Sequence, residues 1–277
     1  MKFKSIFFLF NAIIIISLGF ILFMPVFLLD WEYTRIFWST NWYIALLFSV
    51  FFIGLNVYFL RFWKVYELLE REDWHALQAH LTHAIFTQGR CGKQHVRLFI
   101  HNAIVLSRPE EIISLRDHLQ RHCPRRFSQF GLLLGIPFIL QNDHQGMEQH
   151  YFSVSAQPNR RSGQWLIWAR GFSLFLQKRL DDAGTHIEEV LDNTKDPVLR
   201  LMSLYMYESC ASGNSGSMQR YQEWLQDFRR QYSSGKILAA VERKQDNILV
   251  LILDQFIHDA VDWMYQDTEP EDIAGDR

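Results

Sequence analysis

Two patterns of apolar and polar positions divide the chain. Ser5 to Leu29 and Ile36 to Leu60 are each 25 residues without Asp, Glu, Lys, Arg or His, and a helix of that length and composition can cross a bilayer. From Tyr66 onward the apolar positions recur at helical spacing, interrupted only by short polar breaks. Arg71-Glu72-Asp73, Gln141-Asn142-Asp143, Lys178-Arg179-Leu180 and Ser212-Gly213-Asn214 are turn signals. Pro109-Glu110-Glu111 opens a helix that continues through Ile112, Leu115 and Leu119, with proline in the first turn and acids at the positive end of the dipole. With Glu72, Arg108, Asn142, Arg179 and Asn214 as markers, the turns fall 36, 34, 37 and 35 residues apart. A period near 35 holds two helices of about 14 residues with their turns, the signature of an α-solenoid of stacked hairpins. The expected fold is all-α. Residues 1–64 form a two-helix membrane anchor with spans at about 5–29 and 39–62, residues 65–232 about five helical hairpins, and residues 233–265 a single C-terminal capping helix. Residues 266–277, with five acids and one Arg, are expected to be disordered.

The stretch from Gln164 through Trp165, Trp168, Gly171, Phe172, Phe175 and Ala183 to Asp196-Pro197 resembles the tetratricopeptide family. Gly171 stands where that family has the small residue that lets its two helices approach, Ala183 matches the small residue of the second helix, and Pro197 lies near the helix-ending proline. Asp73-Trp74-His75-Ala76 is similar to the start of a second helix in the same motif, and the resemblance extends over residues 57–232. It implies a peptide-binding groove lined by the first helix of each hairpin. In this register the groove positions are Trp165, Trp168, Phe172 and Phe175, then Arg97 and His101, then Ser128 and Gly131, then Arg200 and Tyr207. Aromatics and cations suit a peptide groove; in a slipped register the same aromatics would fill the core. Two spans followed by repeats also resemble the layout of bacterial HemY-type inner-membrane proteins, and layout alone does not carry function.

Charge narrows the partners. The 213 residues after residue 64 hold 23 Lys/Arg and 28 Asp/Glu, a net charge of −5, together with all eleven histidines. Such a domain is soluble and lacks the basic footprint of a nucleic-acid binder. Lys2 and Lys4 precede the first span and Arg61, Lys64 and Arg71 follow the second, whereas the loop from Asp30 to Arg35 carries one basic residue. Both ends are therefore expected in the cytoplasm of a cell whose inner membrane holds the spans, with Trp31, Tyr33, Trp38, Trp42 and Tyr43 as an interfacial belt. A signal peptide is the competing reading, but the first run is long for one and ends without paired small residues. Asn11, Ser17, Ser49, Asn56 and Tyr58 are polar groups within the spans; none suits an ion or proton pathway.

Chemistry is sparse. His118, His122 and Cys123 have tolerable metal spacing but no second ligand pair, and His75, His80 and His83 read as helix-surface residues. There is no P-loop, G-x-G-x-x-G, G-x-S-x-G or H-E-x-x-H. The three cysteines, Cys91, Cys123 and Cys210, are odd in number and widely spaced, which fits reduced thiols. The expectation is a non-enzymatic membrane-anchored adaptor with no cofactor or metal, whose partners are a protein or peptide and the lipid bilayer. The alternative is an auxiliary subunit of a membrane enzyme or transport complex that makes its contacts through the spans.

Overall fold

A computed structural model describes residues 3–29, 31–156, 163–212, 215–244 and 248–265. The described residues are helical throughout and contain no strand. They form two compact units, residues 1–87 and 88–277.

In the first unit α1 (Phe3–Leu29) and α2 (Trp31–Glu70) pair as an apolar hairpin. Phe7 closes it against Phe59 and Trp63, at ring-centroid distances of 5.6 and 5.3 Å. Both helices are long and apolar enough to cross a membrane. Asn11 and Asn56 donate to Phe7 and Phe52 of their own helices, at 2.9 and 3.0 Å. Four-residue back-bonding of this kind satisfies a polar side chain in hydrocarbon without a partner helix. Helix α2 kinks at Asn41, whose φ of −114° is non-helical, and then runs without a break to Glu70. At about 1.5 Å per residue its 40 residues span about 60 Å, twice a bilayer core. Its last turns bury Val65 and Leu68 next to α3 (Trp74–Thr82), which contributes Leu77 and Leu81 and leads into a π-turn, His83–Thr87.

The second unit is a succession of hairpins. These are α4 (Lys93–Val105) with α5 (Pro109–His122); α6 (Pro124–Phe130) and α7 (Ile136–Leu140) with α8 (His144–Ser155); α9 (Gln164–Leu176) with α10 (Leu180–Asn193); and α11 (Pro197–Ala211) with α12 (Ser215–Gln231). Prolines 109, 124 and 197 each begin a helix, where the missing N–H costs nothing.

The turns within the hairpins repeat one geometry. Glu72, Ser107, Asn142 and Lys178 all have positive φ, between 53° and 61°, and lie 35, 35 and 36 residues apart. At each, the N–H of that residue reaches the carbonyl three back and the next N–H the carbonyl five back, as in Ser107 to Ile104 (2.9 Å) and Arg108 to Ala103 (2.8 Å). This double bond closes the helix C-terminus with one left-handed residue, and the following residue is already the N-cap of the next helix. Lysine in that conformation carries a steric cost that glycine lacks. Lys178→Gly should therefore stabilise the domain by up to about 1 kcal/mol, and Asn142→Gly by less, because Asn tolerates the left-handed region. Urea denaturation would measure both, and destabilisation by Lys178→Gly would contradict the turn geometry.

Close approach within a hairpin depends on small residues. A Cβ on Gly171 would lie 2.9 Å from Ile187 Cδ1 and 3.2 Å from His186 Cβ, so α9 and α10 pack as they do only with hydrogen at that position. Gly131 and Gly135 play the same part beneath Val154 and Tyr151 of α8.

The C-terminal region departs from the single helix expected over 233–265. It contains α13 (Ser234–Glu242), α14 (Ile248–Ile252) and α15 (Asp254–Tyr265). The apolar run Ile248 to Leu253 is folded inward, burying Leu249, Val250 and Leu253, and Asp254 then starts α15 with an acid at its N-terminus. Helix α15 buries Ile257, Ala260, Val261 and Met264 and packs on α11 and α13. The tail expected after residue 265 lies outside the described residues.

Candidate partner-binding cleft

The residues expected to line one groove are divided among three environments. Trp168 and Phe172 are interior, at 1% and 6% exposure. Their rings stack 4.9 Å apart, and Phe256 of α15 lies across both at 6.4 and 5.5 Å. The expected open aromatic surface is thus covered by the chain's own C-terminal helix, which also meets Tyr205 of α11 through Phe256 and Trp263.

Arg200 and Tyr207 face α12. Arg200 pairs with Asp227 at 3.0 Å. Tyr207, 1% exposed, packs against Tyr221 and Trp224 and donates its hydroxyl to Glu188 of α10. Burial, then the Glu188 carboxylate, pushes its pKa up to about 12. Both residues are structural ties between hairpins.

Arg97 and His101 line an unfilled space, and Trp165 lies beneath Lys244 at its rim. A cleft of about 540 Å³ is lined by Lys93, Arg97 and His101 of α4, by Gln129, Phe130 and Leu133 at and beyond the end of α6, and by Arg243, Lys244 and Ile248 from the C-terminal region. Arg97 is exposed and His101 half-buried; burial, then the Arg97 charge, lowers the His101 pKa. Lys244 is held at the rim by Asp196 and lies over the Trp165 ring, 5.6 Å from its centroid, while Trp165 Nε1 donates to the same Asp196 carboxylate at 3.0 Å. No acidic side chain lines the cleft among the described residues.

Sequence register missed most of this lining. Ser128 and Gly131 were the expected groove positions of the second hairpin, but α6 is only seven residues long and gives way to a 3₁₀ turn at Leu133–Gly135. That break rotates Gln129, Phe130 and Leu133 into the cleft and puts Gly131 under Val154, with its carbonyl accepting from His150 Nε2 at 2.7 Å. Arg243 and Lys244 come from more than a hundred residues away in the chain, which no local pattern reports. His118 and His122 stack ring on ring at 4.6 Å. Among the described residues no cluster of three or more His, Cys, Asp or Glu side chains could hold a metal.

Residues 111–266, more than half of the chain, match the family described as "Uncharacterised Treponema protein". The chain belongs to that family. The matched region begins within α5 and ends one residue past α15, so it takes in the C-terminal helices that cover Trp168 and Phe172. A Treponema pallidum (strain Nichols) protein described as "Uncharacterized protein" is 22% identical over 286 aligned residues, covering 96% of this chain and 88% of its own. Likeness to this relative therefore runs through the apolar N-terminal helices as well as the helical domain. No solved structure matches.

Proposed function

We propose that this chain is a membrane-anchored helical-repeat adaptor that holds a carboxylate-bearing segment of a protein partner in the cleft at the cytoplasmic face. The cleft carries this reading: three cationic side chains, Lys93, Arg97 and Arg243, together with Lys244 in its pair with Asp196, surround an apolar patch of Phe130, Leu133 and Ile248 in a domain of negative net charge. Concentrated positive charge steers and orients an acidic chain, and the apolar patch supplies the desolvated contact that gives affinity. The tetratricopeptide resemblance supports it through the recurring left-handed turns and the close approach at Gly171. The two apolar helices, with basic residues flanking them, support an anchor in the inner membrane with both ends inside the cell.

Replacing residues 3–60 by an unrelated two-helix anchor tests this against the rival role of a subunit that binds through its spans. Retained partner capture is the expected result. Loss of capture with the helical domain still folded would favour the spans as the contact surface.

A further inference from the structure

Cys91 and Cys123 are 32 residues apart in sequence, yet Arg126 bonds to the backbone carbonyl of both, and the Cys123 side chain acts directly on the Cys91 thiol. Each lies outside regular helix: Cys91 in the loop before α4, and Cys123 at the junction of α5 and α6 with φ −137° and ψ 60°. Both are partly exposed. Arg126 ties the same junction to the loop, its Nε donating to the Cys91 carbonyl at 3.1 Å, while the Arg126 and Phe127 amides donate to the Cys123 carbonyl at 2.8 and 3.1 Å. Arg126 thus bridges the two segments, through its guanidinium on the Cys91 side and its amide on the Cys123 side, and neither cysteine must leave a helix for the sulfurs to approach.

We propose that Cys91 and Cys123 form a redox site, a dithiol that exchanges with low-molecular-weight disulfides and closes into an intramolecular disulfide. The Cys123 thiolate attacks one sulfur of the small disulfide, forming a mixed disulfide and expelling one small thiolate, which takes up a proton. Cys91 then gives its proton to solvent and attacks the Cys123 sulfur, forming the internal bond and expelling the second small thiol. In sum the chain loses two protons and two electrons, and the small disulfide takes them up to become two thiols. Cys123 goes first because burial, then the Cys123 thiol itself, pushes the Cys91 pKa up to about 12, against a smaller lowering by Arg126. A pair of this kind is readily cycled in a reducing compartment, where lasting structural disulfides are rare.

Closure has a consequence for the cleft. Lys93 and Arg97 follow Cys91 on α4, whereas Gln129, Phe130 and Leu133 follow Cys123. The disulfide would therefore tie two walls of the cleft at their base; only the meaning of that tie rests on the partner-binding reading.

The full-length chain in detergent, equilibrated with glutathione mixtures from reducing to oxidising and then trapped with an alkylating reagent, tests the chemistry without any partner. At the oxidising end the chain should lose two hydrogens in mass and take up one alkyl group, at Cys210, instead of three, with dithiothreitol restoring all three. Peptide mapping should link Cys91 to Cys123, and Cys210→Ser should leave the link intact. Cys91→Ser should stop at a stable glutathione adduct on Cys123, whereas Cys123→Ser should leave Cys91 largely unmodified. Amide exchange around residues 89–93 and 123–127 should slow in the oxidised wild-type chain. Two glutathione adducts on the wild-type chain, a link to Cys210, or three thiols still open to alkylation at the oxidising end would each overturn the proposal, in the wild-type protein and independently of how any variant folds.

Discussion

Trp168→Ala will cost the helical domain about 3 to 5 kcal/mol, the range for removing a buried aromatic from a packed core. Trp168 is 1% exposed, stacks on Phe172 and lies under Phe256 of α15. Its truncation leaves a cavity between α9 and the C-terminal helix that neither element can close alone. Trp168 Nε1 has no hydrogen-bond partner, so Trp168→Phe forfeits no polar contact and should cost much less. Phe256→Ala should destabilise in the same direction from the other side of the contact. Urea denaturation of the full chain in detergent, followed by circular dichroism, measures all three. An unchanged midpoint for Trp168→Ala would mean that α15 does not seat on α9 and that the aromatics face open solvent.

Acid will weaken the domain before its carboxylates titrate. His150 is enclosed by Phe127, Phe138 and Tyr151, and its Nε2 donates to the Gly131 carbonyl. Burial lowers its pKa to about 4, outweighing the Gly131 hydrogen bond, and Arg116 lowers it further. The unfolded chain binds this proton near pH 6.5, whereas the folded chain keeps the ring neutral until about pH 4. The stability contributed is full above pH 6.5 and is lost as the pH falls to about 4, in total about 3 kcal/mol. His101, His118 and His186 are also lowered, chiefly by burial, and act in the same direction. Stability measured from pH 7 to pH 4 should fall steeply, with a shallower slope in His150→Gln. A flat profile would contradict the burial of the imidazole.

The turns were legible in the sequence because each hairpin closes with local chemistry. The markers Glu72 and Asn142 coincide with left-handed residues, whereas Arg108 and Arg179 fall one residue late, on the N-caps that follow Ser107 and Lys178. Gly171 was legible for the same reason, since a close approach leaves its mark in the residue itself. The C-terminal helices were not, because Ile248 to Leu253 is uniformly apolar and has no period to locate a break. The aromatics of α9 were placed on a helix by their spacing, but their surroundings were not legible, because the helix that covers Trp168 and Phe172 docks through tertiary packing that no pattern in α9 records. One overlooked signal was available. In stacked hairpins, residues about one repeat apart become neighbours: Arg126 with Cys91, Trp165 with Asp196 and Arg179 with Glu148 are 35, 31 and 31 residues apart. The 32-residue separation of Cys91 and Cys123 belongs to the same set, so their meeting could have been anticipated from the period alone.

Partner capture in the cleft is most directly measured by placing a photo-crosslinking amino acid at Gln129 in living cells and comparing the wild-type cleft with Arg97→Glu plus Arg243→Glu. Both arginines line the cleft and have exposed side chains, so folding should survive their reversal. The predicted result is a crosslinked protein at Gln129 whose yield falls at least about tenfold in the charge-reversed chain, corresponding to about 1.4 kcal/mol of lost affinity. Crosslinking at Gln129 that ignores the charge reversal, or capture only from exposed apolar positions such as Leu47 and Phe51 on α2, would contradict the account.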